Sequence, residues 1–168
     1  MVQVTFKGNP VTLPNKEVKA GDEIQNFTVL ANDLSPVTSR DKAGEIRLFS
    51  VVPSLDTGVC SDQTKRFSDA AASLGENVEI LAVSCDLPFA QKRWTEINQV
   101  DNLTTLSDHR DLSFGEAFGV TMQELRLLAR SIFVVDENDK VTYVEYVAEG
   151  TDHPDYDRAI EAVKELTK

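Results

Sequence analysis

The stretch Ile46-Arg47-Leu48-Phe49-Ser50-Val51-Val52, followed at once by Pro53-Ser54-Leu55-Asp56-Thr57-Gly58-Val59-Cys60, decides how this chain is read. Its first seven residues are apolar except for Arg47 and Ser50, the composition of a strand buried on both faces of a sheet. Pro53 has no N–H to give to a ladder, so the strand ends there. From Ser61 to Leu74 the apolar residues Phe67, Ala71 and Leu74 recur at helical spacing, and Gly75 supplies a stop. The order is strand, turn, helix. It delivers Cys60 at a helix N-terminus, just past the carboxyl end of a central strand, where open α/β sheets bind their ligands. Backbone N–H groups and the positive end of the helix dipole favour a thiolate there, and the thiolate is the nucleophilic form of cysteine. The plainer alternative is a buried cysteine that only packs. That alternative leaves Pro53, Asp56, Thr57 and Gly58 unexplained.

Outward from this stretch the chain alternates strands and helices without repeats or low-complexity linkers. Val2–Phe6 and Pro10–Leu13, joined by Lys7-Gly8-Asn9, read as an N-terminal β-hairpin. Phe27–Ala31 reads as a short strand, and Asp33–Thr38 as a turn with a strand beginning. Val78–Cys85 is a second apolar run and a second central strand. Phe89–Ile97 is expected to be a helix, Leu103–Leu106 a strand, and Asp111–Phe118 a short helix closed by Gly119. Phe114 and Phe118, four apart on that helix, read as core. Ser131–Val135 and Val141–Val147 flank the turn Asp136-Glu137-Asn138-Asp139-Lys140, a hairpin signal. Pro154–Leu166 is a final amphipathic helix with its proline near the first turn. Two parallel strands joined by a helical crossover, then a hairpin and a helix, predict a mixed sheet with helices on both faces.

Pro53, Thr57 and Cys60 fill the pattern Pro-x-x-x-Thr-x-x-Cys, and the chain thereby resembles the peroxiredoxin family. The string PSLDTGVC is similar to the thiol peroxidase branch of that family. So are Lys7-Gly8-Asn9-Pro10-Val11-Thr12, Asp86-Leu87-Pro88-Phe89-Ala90-Gln91 and Leu128-Ala129-Arg130. These four collinear segments span essentially the whole chain. The resemblance implies an α/β thioredoxin-like fold over a single domain, 1–168. It implies a thiol-dependent peroxidase that reduces hydrogen peroxide and organic, including lipid, hydroperoxides without a prosthetic group. It further implies thioredoxin as electron donor and a homodimer as assembly.

Each site residue then has an expected task. Cys60 is the nucleophile, converted by peroxide to a sulfenic acid. Thr57 is placed to hydrogen-bond the thiolate and the peroxide, and it also suits a helix N-cap. Pro53 shields the sulfur and fixes the loop. Arg130 lies in the apolar stretch Leu127-Leu128-Ala129-Arg130-Ser131-Ile132-Phe133, where an unpaired guanidinium is costly. An anionic Cys60 is a suitable partner, and the resemblance puts the family's catalytic arginine at this position. Arg126 reads instead as a solvated helix charge. The resemblance also implies a second, resolving cysteine in the helix after Asp86–Gln91, but Thr95 stands there. The only other thiol is Cys85, read first as a packed residue and second as a resolving partner for Cys60.

Composition narrows the remaining classes. The chain has 168 residues, enough for a sizeable core, and 28 acidic against 17 basic residues give a net charge of -11. With no Lys/Arg cluster, neither nucleic acid nor an anionic membrane surface is an expected partner. No apolar run reaches the length of a membrane span. The first residues alternate Val2, Val4 and Phe6 with polar ones and lack a secretory pattern, so a cytoplasmic location is expected. Asn26-Phe27-Thr28 and Asn102-Leu103-Thr104 match glycosylation sequons by chance on that expectation. No metal site is expected, because Cys60, Cys85, His109 and His153 form no C-x-x-C or H-x-x-x-H pair. The two histidines read as surface or capping residues. His109-Arg110-Asp111-Leu112 copies the start of a kinase catalytic loop, but no Asn or Gly-rich phosphate loop completes it. Thr57 and Gln63 occupy the positions that would complete a C-x-x-C pair with Cys60, which disfavours a thiol–disulfide oxidoreductase. A non-enzymatic redox sensor of the same fold is the alternative reading of function.

Overall fold

The computed structural model describes residues 2–168 and is built on a mixed seven-stranded sheet. The strand β5 (Ile46–Val51) lies in its interior, buried at all six positions. It pairs in parallel with β6 (Val78–Ser84), which pairs in parallel with β7 (Thr104–Ser107). On the other side β10 (Ser131–Val135) runs antiparallel to β5 and carries β11 (Val141–Tyr146) at the edge. The opposite edge is the hairpin of β3 (Thr28–Leu30) and β4 (Pro36–Thr38), joined to β7. The sheet is wider than the two parallel strands and one hairpin expected: β7 is a third parallel strand, and β3–β4 closes the far edge. The N-terminal hairpin forms as expected, from β1 (Val4–Phe6) and β2 (Asn9–Val11).

Alternation along β5 explains the two faces. Ile46 and Leu48 join a core with Phe67 and Leu74 of α1 (Gly58–Ala71) and with Tyr156, Ala159 and Val163 of α4 (Tyr156–Leu166). Phe49 and Val51 point the other way, into a core with Phe27, Phe133 and α3 (Ser113–Phe118). Phe114 and Phe118 stack there with centroids 4.4 Å apart, the core role their spacing predicts. The two polar interruptions of β5 are both satisfied. Arg47, buried, donates to Asp139 Oδ1 at 2.7 Å and to the Asp136 carbonyl at 2.8 Å, tying the β10–β11 turn to the sheet. Ser50 accepts from Gln63 of α1.

One element escapes the sequence pattern. β8 (Thr121–Met122) and β9 (Leu127–Leu128) form a small antiparallel pair, and Arg126 lies in its turn, not on a helix. Its φ is +52° and its N–H donates to the Met122 carbonyl at 2.8 Å. Gln123-Glu124-Leu125-Arg126 are helix-favouring residues with no Gly or Pro among them, so composition gives no turn signal. The hairpin matters because it ends two residues before Arg130. His109 and His153 are exposed, and His153 Nδ1 lies 2.7 Å from the Tyr156 hydroxyl.

At the end of β7, the buried Asp108 accepts the N–H groups of Phe114 and Gly115 and so anchors the start of α3. Burial pushes its carboxyl up to about 6; the two N–H groups oppose that shift, and Asp111 and Glu116 add to it. An unfolded Asp ionises near 3.9. The folded chain therefore binds the extra proton between about pH 4 and pH 6, and this group's contribution to stability falls as pH rises across that window, by at most about 3 kcal/mol. A carboxyl-carbon NMR titration should place the Asp108 midpoint near 6. A midpoint at the ordinary carboxylate value would refute the assignment.

Candidate active site

Cys60 sits in the first turn of α1, beyond the carboxyl end of β5. The last ladder bond there is Val52 N–H to the Val83 carbonyl at 3.1 Å; Pro53, buried, ends the pairing. Thr57 is the N-cap: its hydroxyl oxygen accepts from Cys60 N at 3.4 Å and its backbone is extended. The same hydroxyl donates to the Ser54 carbonyl at 3.4 Å, so at rest it serves the loop and the cap and makes no bond to the sulfur.

Asp86, just past β6, staples the cysteine loop in place. Its carboxylate accepts from Ser54 Oγ at 2.7 Å, Leu55 N at 2.8 Å and Ser84 Oγ at 2.8 Å. The loop thus packs Leu55 beside Val52 and against Trp94 of α2 (Pro88–Ile97), and these three enclose Cys60. The thiol is fully buried among apolar walls.

Arg130 reaches this chamber from the residue before β10. It is 2 % exposed, and its guanidinium makes three bonds. Nη2 donates to Cys60 Sγ at 3.1 Å, Nη1 to Gln63 Oε1 at 2.9 Å, and Nε to the Gly150 carbonyl at 3.0 Å. Gln63, itself fully buried, is braced from behind by Ser50 Oγ at 2.9 Å. Both oxygen acceptors are neutral. Each takes one of the guanidinium's five N–H donors without cancelling its charge, and the Cys60 sulfur is the remaining group at hydrogen-bond distance. Tyr156, packed on Phe67 with centroids 5.4 Å apart, is held neutral by burial, which raises its phenol.

Of the four residues singled out from the sequence, the structure brings Thr57 and Arg130 onto Cys60, and Pro53 lies buried where the loop leaves β5. Gln63 was missed as a partner, although its position marked it. It shares a helix face with Cys60 and Phe67 at three- and four-residue spacing, and a polar residue on a core-facing stripe calls for a partner. Asp86 carries no local signal of its role beyond its place in the Asp86–Gln91 segment. Cys85 lies apart, half-buried against the other core. Burial first, then Asp108 and Asp86, push its thiol up to about 12, so it stays protonated at neutral pH. Thr95 is half-exposed on α2, its hydroxyl donating to the Lys92 carbonyl at 2.8 Å. Among the described residues no cluster of three or more His, Cys, Asp or Glu is arranged to hold a metal ion, and no helix is long and apolar enough to cross a membrane.

Known proteins share this chain's sequence and fold over nearly its whole length. The sequence profile of the Redoxin family matches residues 19–160. Thiol peroxidases from Halalkalibacterium halodurans and Bacillus subtilis are 63% and 57% identical to the chain, over 98% and 100% of both lengths. A crystal structure of a peroxiredoxin-like protein from Aquifex aeolicus superposes with a TM-score of 0.92 at 40% identity, covering 99% of this chain and 98% of that one. The chain belongs to the redoxin family, in its peroxiredoxin class. Within that class its full-length likeness is to the bacterial thiol peroxidases.

The Asp86 staple is testable directly. Asp86→Ala should unfasten Ser54 and Leu55, cost about 1–3 kcal/mol in urea denaturation and speed amide exchange at Leu55. An unchanged exchange rate at Leu55 would show that the loop is held by packing alone.

Proposed function

We propose that this protein is a thiol-dependent peroxidase in which Cys60 is the peroxidatic nucleophile, Arg130 and Thr57 position thiolate and peroxide, and Pro53 shields the sulfur. The observation that carries the reading is the Arg130 Nη2 to Cys60 Sγ bond of 3.1 Å inside an otherwise apolar chamber. The thiol peroxidase names of the full-length relatives support the same activity and weigh against a non-enzymatic redox sensor.

The Cys60 thiolate attacks one oxygen of the hydroperoxide, and the S–O bond forms as the O–O bond breaks. The departing hydroxide or alkoxide takes up a proton and leaves as water or alcohol, while the sulfur becomes a sulfenic acid. An external thiolate then attacks that sulfur, water leaves, and a second thiol releases the enzyme from the mixed disulfide. Two thiols are oxidised for each peroxide reduced. Because Cys60 is closed at rest, entry requires the 53–57 loop or the first turn of α1 to open briefly. Hydrogen peroxide and organic, including lipid, hydroperoxides are the proposed substrates, thioredoxin the proposed reductant, the cytoplasm the proposed location and a homodimer the proposed assembly. A reducing compartment suits a chain whose two cysteines are both free.

Cys85 and Thr95 shape the recycling. A protonated Cys85 is a poor resolving nucleophile, and threonine forms no disulfide. The sulfenic acid should therefore persist until an external thiol arrives and should over-oxidise readily to sulfinic acid. Cys60→Ser should abolish turnover with the fold intact, because a serine hydroxyl is protonated at neutral pH and barely attacks peroxide; substantial residual turnover would end the mechanism. Intact-mass analysis and non-reducing peptide mapping after one equivalent of peroxide should find one added oxygen on Cys60. A stoichiometric Cys60–Cys85 disulfide would refute the recycling scheme. Thr95→Cys should introduce a disulfide with Cys60, and its absence under the same mapping would show that α2 does not unwind enough to meet disulfide geometry.

A further inference from the structure

The Nε end of Arg130 is held by the Gly150 carbonyl, which belongs to the segment after β11 and not to the main sheet. The N-terminal hairpin is what fixes that segment. Thr5 N donates to the Ala148 carbonyl at 2.8 Å and Gly150 N donates to the Thr5 carbonyl at 2.7 Å, so β1 runs parallel beside residues 148–150. Gly150 has no side chain because none fits: a Cβ would lie 2.6 Å from the Phe6 ring. The Glu149 carboxylate then locks hairpin and segment together. It accepts from Thr5 Oγ1 at 2.9 Å, Gly8 N at 2.7 Å and Lys7 N at 3.3 Å on one side, and from Thr151 N at 2.7 Å and the Thr151 hydroxyl on the other. The Thr151 hydroxyl first, then the Gly8 and Thr151 N–H groups, hold this carboxyl down at about 2, so it is ionised throughout the neutral range.

Five donors converging on one carboxylate is more than a surface glutamate needs. The carbonyl beside it is the one that orients a buried cation. We propose that Glu149 is a positioning residue for Arg130: by clamping β1 to the 148–151 segment it fixes the Gly150 carbonyl, which aims the guanidinium at Cys60. The inference rests on the peroxidatic reading of Cys60 and Arg130. It gives the N-terminal hairpin, which lies outside the central sheet, a task in the reaction. Without the clamp the Gly150 carbonyl has only its backbone bridge to hold it, and Arg130 retains Gln63 as its one fixed oxygen partner.

The test is a double-mutant cycle, because a residue that acts through another loses its effect when that other is removed. Parent, Glu149→Ala, Arg130→Ala and the double variant are compared by the stopped-flow rate of Cys60 oxidation with hydrogen peroxide, followed through Trp94 fluorescence. Circular dichroism checks that each is folded. Glu149→Ala should lower the rate about tenfold in folded protein and cost almost nothing more in the Arg130→Ala background. Glu149→Gln, which keeps one acceptor oxygen, should recover part of the rate, and it replaces the alanine variant in the cycle if that one fails to fold. An unchanged rate in folded Glu149→Ala overturns the proposal, as does an unchanged rate in Glu149→Gln where that variant takes its place in the cycle, or an equal fold-loss in both backgrounds. A parental rate in Arg130→Ala alone instead removes Arg130 from the reaction, and the proposal with it.

Discussion

A guanidinium with 2 % exposure is the constraint on which the rest of this structure depends. Burying an ion costs several kcal/mol even after relaxation, and the cost is offset only when its donors meet well-placed acceptors. Here the acceptors come from two separate parts of the chain, α1 through Gln63 and Cys60 and the 148–151 segment through Gly150, and Ser50 of β5 braces Gln63 from behind. Each must be in place for the ion to be tolerable. The neutrality of the two oxygen partners is what leaves the charge usable, since a carboxylate at either position would compete with the sulfur for it.

The cysteine loop shows how rigidity and access are reconciled. Thr57 caps the helix, Asp86 fastens Ser54 and Leu55 to the end of β6, and Leu55 and Trp94 close over the thiol. The fastening is polar and local, made of a few bonds at a loop. It can open without disturbing β5, whose six positions are all buried and paired on both sides. Local opening of this kind has a far smaller free-energy cost than global unfolding.

The chain's two cysteines differ by surroundings alone. Cys60 stands beside a cation at a helix N-terminus. Cys85 stands at a strand end near Asp86 and Asp108, where burial and two carboxylates keep its proton on. Cys85 contributes packing at the margin of the core around Phe49. Threonine at position 95 stands where the family resemblance implies a third thiol.

Periodicity and punctuation in the sequence determined the central strands, the helix after Cys60, the terminal hairpin and the role of the two phenylalanines of α3. These are signals carried by neighbouring residues, so no long-range knowledge was needed. The strand, turn and helix around Pro53, Thr57 and Cys60 were legible for the same reason, and the family resemblance made Cys60 the candidate nucleophile. The partners of Arg130 were decided only by tertiary structure: it meets Cys60 across 70 residues of sequence, Gln63 across 67 and Gly150 across 20. The β8–β9 pair was hidden too, because two-residue strands carry no period and their turn is made of helix-forming residues. A buried charge announces in the sequence that it must be satisfied, but its acceptors are chosen by how the sheet, the helix and the N-terminal hairpin pack, and that choice is not local.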